Sequence, residues 1–357
     1  MVILYVLLAV LILMFMIMIH EAGHYIAGKI LKFKIEEFSI GFGPAIFSKQ
    51  LKSGEIFSIR WIPLGGFCAF KGEDEDEDEV VDKEGTFNSY ACWKRLIVLF
   101  CGAFFNFISG VFFVLILLTV VGSGICRITE VKENSKNIDS IYVNDIILEV
   151  DGETPTFING GIVALMADKD VGEEIILTIE RDGEIIKVPV VKYQEYEKDE
   201  NGEYVLDDDG DKIVKGKIIG ITSEYVSLSF GEALLACVPY TFNMAWECLE
   251  IIGKLFTGKL GIDSVGGPIT TVQTIVESTQ ASMKNLLLLF PLLAVNLAVF
   301  NLLPIPALDG ARMVFVAIEW IFRKPVPRDI EARIHGVGLM VLFGLVIVID
   351  LLHIFLF

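Results

Sequence analysis

The first 31 residues place the tightest constraint on what this chain can fold into. Residues 1–19 carry no charged side chain, and His20-Glu21-Ala22-Gly23-His24 follows directly. The length and hydropathy of this run predict a membrane-spanning helix over residues 1–31. Two imidazoles and a carboxylate would then lie in hydrocarbon, where polar groups are costly and usually mark a functional site.

The spacing of these polar residues indicates metal chemistry. Residues four apart share one helix face, so His20 and His24 can bind a single Zn²⁺. Glu21 is then placed to take a proton from the attacking water. The five-residue pattern alone also occurs by chance, so the assignment of Zn²⁺ as cofactor needs support from the rest of the chain.

Composition and charge narrow the class of protein. Of the 357 residues, 54% are hydrophobic, which is typical of an integral membrane protein. The formal net charge of −18 lacks the basic footprint of a nucleic-acid binder, so no nucleic-acid partner is expected. Acidic residues concentrate in two runs, 73–79 and 195–211, which we interpret as solvated loops. The six cysteines form no C-x-x-C pair and predict neither a disulfide framework nor a cysteine metal site.

Four apolar stretches are long enough to cross a hydrocarbon core of ~30 Å. They cover residues 1–31, 96–121, 286–308 and 337–357. Lysine and arginine are frequent in segments 32–95 and 309–336, which predicts that both segments are cytoplasmic. Both chain termini and the long segment 122–285 would then lie on the outer side of the membrane.

The segments between the spans differ in character. Alternation over residues 55–62 and the following Pro63-Leu64-Gly65-Gly66 predict a cytoplasmic β-loop within segment 32–95 that dips towards the membrane and precedes an acidic linker. Residues 122–228 indicate a small external β-rich domain with a hairpin turn at Asp182-Gly183. Residues 229–285 are amphipathic and predict helices along the outer interface.

A zinc site of this type needs a third protein ligand. The third span ends in Pro304 and Pro306, with Asp309 just beyond, and a broken helix in a membrane is tolerated where it lines a protein cavity. His20 lies ~25 Å into the first span, and Asp309 reaches a similar depth from the same side. Asp309 is therefore the predicted third ligand. Glu36 and Glu37 are weaker candidates, since nothing in their loop would position them.

Other polar residues in or beside the spans have less specific interpretations. His335 and His353 are expected to be structural, because they lie far from the motif in sequence. Asn106 and Asn296 could hydrogen-bond between helices or could gate substrate, and the sequence favours neither role.

Taken together, these motifs resemble the site-2 protease family of intramembrane zinc metalloproteases, in its bacterial regulator-of-sigma-E-protease branch. The resemblance covers almost the whole chain. It rests on His20–His24, Phe38–Pro44, Ile62–Phe67, Gly102 to Asn106, Gly266–Ile269 and Asn301–Gly310. The proline common after Gly102 is missing, and Ala311-Arg312 stands where Gly-His is frequent, but neither change touches a proposed ligand. The implied fold is a polytopic α-helical membrane protein with four transmembrane helices, a cytoplasmic membrane-associated β-loop and an inserted external PDZ domain.

The resemblance also implies roles for residues. His20, His24 and Asp309 would bind zinc, Glu21 would be the general base, and Asn301 would contact substrate. The β-loop would hold substrate as an extended strand, and its candidate substrate-binding residues are Phe57, Ile59, Gly65 and Gly66.

The substrates implied are single-span membrane proteins, such as anti-sigma factors or signal-peptide remnants, first trimmed by another protease. The enzyme would be a multi-pass protein of the bacterial cell membrane with its PDZ domain outside. There the domain could tether a peptide, while the resemblance favours the exclusion of bulky substrates. Two other classes stay open on the sequence alone. One is a non-catalytic PDZ scaffold or transporter, and the other is a membrane-anchored protease for soluble substrates.

Overall fold

The computed structural model describes residues 2–73, 84–157, 159–167, 169–196, 212, 214–261 and 266–356. Most of both acidic runs therefore lies outside the described residues. The chain divides into two compact units, one of residues 1–114 with 237–357 and one of residues 115–236. Each unit has its own hydrophobic core.

Eight α-helices lie in the described part of the chain. They are α1 (Val2–Ile30), α2 (Cys92–Val120), α3 (Gly161–Ala167), α4 (Phe230–Phe256), α5 (Pro268–Ala281), α6 (Met283–Leu302), α7 (Asp309–Phe322) and α8 (Arg328–Leu356). Within the described residues, four helices are long and apolar enough to cross a membrane, namely α1, α2, α6 and α8. This number agrees with the four spans predicted from the sequence.

Two of the predicted spans have different ends in the structure. Helix α6 ends at Leu302 rather than at residue 308, because Pro304 and Pro306 cannot continue a helix. Helix α8 begins at Arg328, well before residue 337, with Asp329 and Glu331 in its first turn. Acidic side chains stabilise a helix N-terminus, so this polar stretch is helical although its hydropathy is low.

Residues 309–336 were expected to be a cytoplasmic loop, but they contain a helix. Helix α7 has Asp309 in its first turn and buries Gly310, Ala311 and Val316. Its apolar residues recur at helical spacing between charged residues such as Arg312 and Glu319, which is typical of an amphipathic helix. The prediction of a loop considered only the positive charges of this segment and so missed the helix.

Helix α5 begins in the Gly-Gly-Pro-Ile segment and receives its N-terminal cap from another helix. Pro268 occupies its first turn and Gly267 has no side chain that could cap it. The carboxylate of Asp350 in α8 accepts hydrogen bonds from the backbone amides of Ile269 and Thr270, both at 3.2 Å, and from the Thr270 hydroxyl at 2.9 Å. A Cβ at Gly267 would lie 2.5 Å from Asp350 Oδ1, so glycine is needed for this docking.

We expect Asp350→Ala to lower the free energy of unfolding by about 0.5–2 kcal/mol, the usual cost of losing a helix N-cap. Asp350→Asn keeps one carboxamide oxygen as acceptor and should lose less. Denaturant titration of the purified protein in detergent measures both. Equal stability of wild type and Asp350→Ala would show that this cap contributes nothing.

Strands β1 (Ile35–Gln50) and β2 (Ile56–Phe70) form an antiparallel sheet with several register irregularities. Segment 35–40 pairs with 66–70, and segment 45–50 pairs with 56–60. Residues 37–40 also pair with residues 56–59, and here the residue numbers of the two segments rise together. Segments 35–40 and 56–60 are therefore each paired on both sides. The resulting lateral order is 66–70, 35–40, 56–60, 45–50.

Two of the candidate substrate-binding residues would need a sheet edge to pair with an added strand. Phe57, however, pairs with both Phe38 and Lys49, and Ile59 pairs with both Ile40 and Phe47. Both therefore lie in the middle of the sheet rather than at an edge. The outer segments are 45–50 and 66–70.

The sheet packs against the C-terminal end of α1 and the N-terminal part of α2. Gly28 of α1 lies so close to the Phe70 ring that a Cβ there would be 2.5 Å from it. Phe33 stacks on Tyr90 with ring centroids 4.0 Å apart. The buried residues of this cluster are Ala27, Phe33, Phe70, Phe87, Val98, Leu99 and Val316.

The second unit contains a five-stranded antiparallel sheet in the order β6-β5-β4-β3-β9. Its strands are β3 (Cys126–Val131), β4 (Ile146–Val150), β5 (Glu174–Arg181), β6 (Glu184–Val191) and β9 (Ile221–Tyr225), while β7 (Tyr193–Tyr196) pairs with β8 (Val214–Ile218). The hairpin predicted at Asp182-Gly183 is confirmed, since both residues have positive φ between β5 and β6. Helix α3 covers a core that includes Ile128, Ile147 and Ile179.

Candidate metal centre

The site begins where α1 and α2 meet in backbone contact. A Cβ on Gly23 would lie 2.3 Å from the Cys101 carbonyl oxygen. A Cβ on Gly102 would lie 2.3 Å from His24 Nε2 and 2.7 Å from His20 Cε1. Small residues at such positions let membrane helices approach closely. Here they also leave the space that the two imidazoles occupy.

Three donor atoms converge at this crossing. Asp309 Oδ2 lies 2.9 Å from His20 Nε2 and 3.2 Å from His24 Nε2, and the two Nε2 atoms are 3.1 Å apart. Around a tetrahedral Zn²⁺ with bonds of 2.0–2.1 Å, neighbouring ligand atoms lie about 3.3 Å apart. Among the described residues, His20, His24 and Asp309 form the group of side chains whose ligand atoms lie close enough together to hold one metal ion. The donor set therefore fits zinc.

Helix α2 holds both imidazoles in the orientation that metal binding requires. His24 Nδ1 lies 2.9 Å from the Val98 carbonyl oxygen, so its Nδ1–H donates there and Nε2 keeps its lone pair. The fully buried Asn106 side chain places its Nδ2 3.4 Å from His20 Nδ1. Exchanging the nitrogen and oxygen of the Asn106 carboxamide, which leaves its shape unchanged, would let Oδ1, which has no other partner among the described residues, accept the Nδ1–H of His20. This contact favours the inter-helix role for Asn106.

Glu21 points to different neighbours from the histidines. It follows His20 in α1, is partly buried, and stays outside the cluster of three donor atoms. The backbone of Cys68, in the outer segment 66–70 of the sheet, lies beside its carboxylate. Glu21 thus lies between the metal cluster and one edge of the sheet.

Asp309 is positioned by the short loop between α6 and α7. Ala307 has a φ of +77°, and its backbone amide donates a hydrogen bond of 2.9 Å to His335 Nδ1 in α8. A Cβ on Gly338 would lie 2.1 Å from Pro306, so α8 is packed directly on this loop. The structural role expected for His335 agrees with this contact. Its distance from the motif in sequence concealed which segment it supports.

Other residues singled out in the sequence make contacts outside the cluster of three donor atoms. The Asn301 side chain donates to the Leu297 carbonyl oxygen in its own helix at 2.9 Å. Glu37 binds Arg60 at 2.7 Å and Ser58 within the sheet, which occupies its carboxylate and removes it as a rival ligand. Gly65 has a φ of +116° at the turn into segment 66–70, which few other residues adopt.

We expect Gly102→Ala to lower zinc affinity at least about tenfold, because the new methyl group displaces both imidazoles. Competition with a chromophoric chelator measures the affinity, and elemental analysis gives the zinc per chain. Gly344→Ala in α8 is the matched control, since a Cβ there meets nothing within 4 Å. Wild-type zinc affinity in Gly102→Ala would contradict the geometry described for this crossing.

Comparison with known proteins places the chain among zinc peptidases. The model of peptidase family M50 matches residues 8–345. A protein of Agrobacterium fabrum is 29% identical over 95% of this chain and 92% of its own length. A Fusobacterium nucleatum protein is 30% identical over 96% of both chains, and one from Helicobacter pylori strain J99 is 32% identical over 93% of this chain and 95% of its own. All three proteins are named as putative zinc metalloproteases.

These matches confirm the resemblance to site-2 proteases, and they name the metal that the three donors fit. The family model spans nearly the whole chain, including α1 with its His-Glu-Ala-Gly-His motif and the Asp309 loop. The chain therefore belongs to peptidase family M50, as a membrane zinc metallopeptidase.

Proposed function

We propose that this protein hydrolyses peptide bonds within single-span membrane proteins, with His20, His24 and Asp309 as zinc ligands and Glu21 as general base. The observation that carries the proposal is the convergence of Asp309 on a histidine pair inside a helix that can cross a membrane. A protease for soluble substrates would not need its metal site at this position.

The chemistry follows from the donor set and from Glu21. Bound Zn²⁺ would supply Lewis acidity, polarising the scissile carbonyl and making water a better nucleophile. Glu21 would take the proton of the attacking water and later return it to the leaving amine. The Val98 carbonyl keeps the His24 proton on Nδ1, and the Asn106 carboxamide oxygen, turned towards His20, would do the same there, so that each Nε2 lone pair is available to the metal.

Substrate would bind as an extended strand along segment 66–70. A transmembrane helix hides its amides in internal hydrogen bonds, so it must unwind before hydrolysis. Strand addition to a free sheet edge gives those amides new partners. Of the two outer segments, 66–70 is supported because Cys68 within it contacts Glu21. Gly66 would then contact substrate directly, while Phe57 and Ile59 would support the edge from inside the sheet.

In the proposed membrane orientation, the second unit would make the enzyme select substrates that have already been trimmed. We place both termini and the second unit, as a PDZ-like domain, on the outer side of a bacterial cell membrane. Its antiparallel sheet with one short helix supports a PDZ-like domain. A folded domain on that side would obstruct substrates with bulky outer portions, so the preferred substrate is one already shortened by another protease.

Glu21→Gln should reduce cleavage by about two to four orders of magnitude, because the amide cannot accept the proton of water. Zinc should stay at wild-type content, since Glu21 is no ligand. The assay uses purified protein and single-span substrates in intact and trimmed forms, with mass spectrometry to locate the cut. His20→Ala and Asp309→Ala are the matched variants that should lose zinc and activity together. Full activity of Glu21→Gln would contradict the proposed base, and full zinc binding by Asp309→Ala would reassign the third ligand.

The orientation makes a separate prediction. Single cysteines placed at Lys49 and Arg328 in a cysteine-free protein should react only with reagents that reach the cytoplasm, because positively charged segments stay inside. A cysteine at Asp182 should react with an impermeant maleimide added outside intact cells. Labelling of position 182 only after the membrane is opened would invert the proposed topology.

A further inference from the structure

Glu55 is a buried carboxylate that the proposed mechanism does not use. It lies immediately before β2 and is 2% exposed. Its Oε1 accepts hydrogen bonds from Lys29 Nζ at 2.6 Å, from the Tyr25 hydroxyl at 2.8 Å and from the Ser53 hydroxyl at 2.9 Å. Three donors on one carboxylate oxygen fix the start of β2 against α1.

The two partners in α1 lie on the helix face that carries Glu21. Tyr25 and Lys29 follow Glu21 by four and eight residues, which places the three side chains in one row. The Tyr25 ring also packs on Phe38 in β1, with centroids 5.1 Å apart. At the other end of the row, the Cys68 backbone contacts Glu21. One face of α1 therefore holds the sheet at both ends.

The Glu55 carboxylate is ionised at any pH at which a protease would be assayed. Burial alone would raise the pKa of Glu55, but hydrogen bonds from Lys29, from its own backbone, from Tyr25 and from Ser53 lower that pKa to about 2. The stabilisation is complete above the ordinary carboxyl pKa of 4.5 and is lost only as pH falls towards 2.

We propose that Glu55 is a positioning residue that fixes the register of the sheet edge 66–70 against Glu21. Through that register it selects which peptide bond of a strand-bound substrate faces Glu21. Successive residues of a strand are ~3.3 Å apart and alternate in direction, so a small slip of the sheet presents a different bond. The inference rests on the proposed function, because it assumes that substrate pairs with this edge.

The test compares Glu55→Gln with wild type on a synthetic single-span leucine-alanine peptide that has a central Asn-Gly pair and a fluorophore and quencher at its ends. We expect KM to rise about tenfold, the size expected for losing a hydrogen bond between charged groups, with kcat and zinc content little changed. Mass spectrometry should show cleavage spread over neighbouring bonds. Lys29→Met should act in the same direction, and exchanging the pair as Lys29→Glu with Glu55→Lys should restore the single site.

Asp145→Asn is the matched control for a merely structural effect. Asp145 is also 2% exposed and is paired with Arg181 at 2.7 Å, but it belongs to the second unit. Its substitution should lower stability while KM and the cleavage site stay as in wild type.

A second measurement does not require proteolytic activity. Cys68 is partly buried in segment 66–70, so its alkylation, with the other cysteines replaced, should be faster in Glu55→Gln.

The inference is overturned if folded Glu55→Gln cuts the same single bond with wild-type KM and its Cys68 reacts at the wild-type rate. If Glu55→Gln does not fold, Tyr25→Phe decides the matter, because it removes one hydroxyl from the same contact. If wild type cuts no single-span substrate, the proposed function fails, while Cys68 alkylation still reports whether Glu55 holds the edge.

Discussion

Backbone contact between α1 and α2 is the constraint on which the rest of the site depends. Because Gly23 lies on the Cys101 carbonyl and Gly102 lies beneath the imidazoles, the histidine pair is held against α2. Val98 and Asn106 can then orient the two rings from one turn above and below. Inside a bilayer no solvent can replace such partners, so ring orientation must come from protein groups. Any larger side chain at this crossing would separate the rings from the groups that orient them.

Much of this site could be predicted from local features of the sequence. A polar motif in an otherwise apolar run identifies both the helix and the residues that matter, because hydrocarbon makes such residues costly. Asp309 was predicted from the proline break that precedes it and from its depth, since a rise of 1.5 Å per residue fixes how far each span reaches into the membrane. The break after α6 was also predicted from Pro304 and Pro306, although the helix ends at Leu302 and not at residue 308.

The residues that the sequence did not reveal are those whose partners are distant in the chain. Ala307 and His335 are 28 residues apart, Tyr25 and Glu55 are 30 apart, and Thr270 and Asp350 are 80 apart. Each is a single polar residue without a periodic pattern, so only tertiary structure identifies its partner. The order of the sheet was hidden for the same reason. Alternation predicts a strand, but it cannot show that segment 56–60 is paired on both sides.

The spacing of the motif directs its residues towards two different neighbours of α1, namely α2 and the sheet of β1 and β2. Consecutive helix residues point about 100° apart, so Glu21 cannot share the face of His20 and His24. The histidines face α2, which orients them, whereas Glu21, Tyr25 and Lys29 face the sheet, which α1 holds through Cys68, Phe38 and Glu55. A peptide strand on edge 66–70 would therefore lie on the side from which Glu21 reaches the metal cluster. Under the proposed function, one helix would then set both the metal geometry and the line along which substrate approaches it.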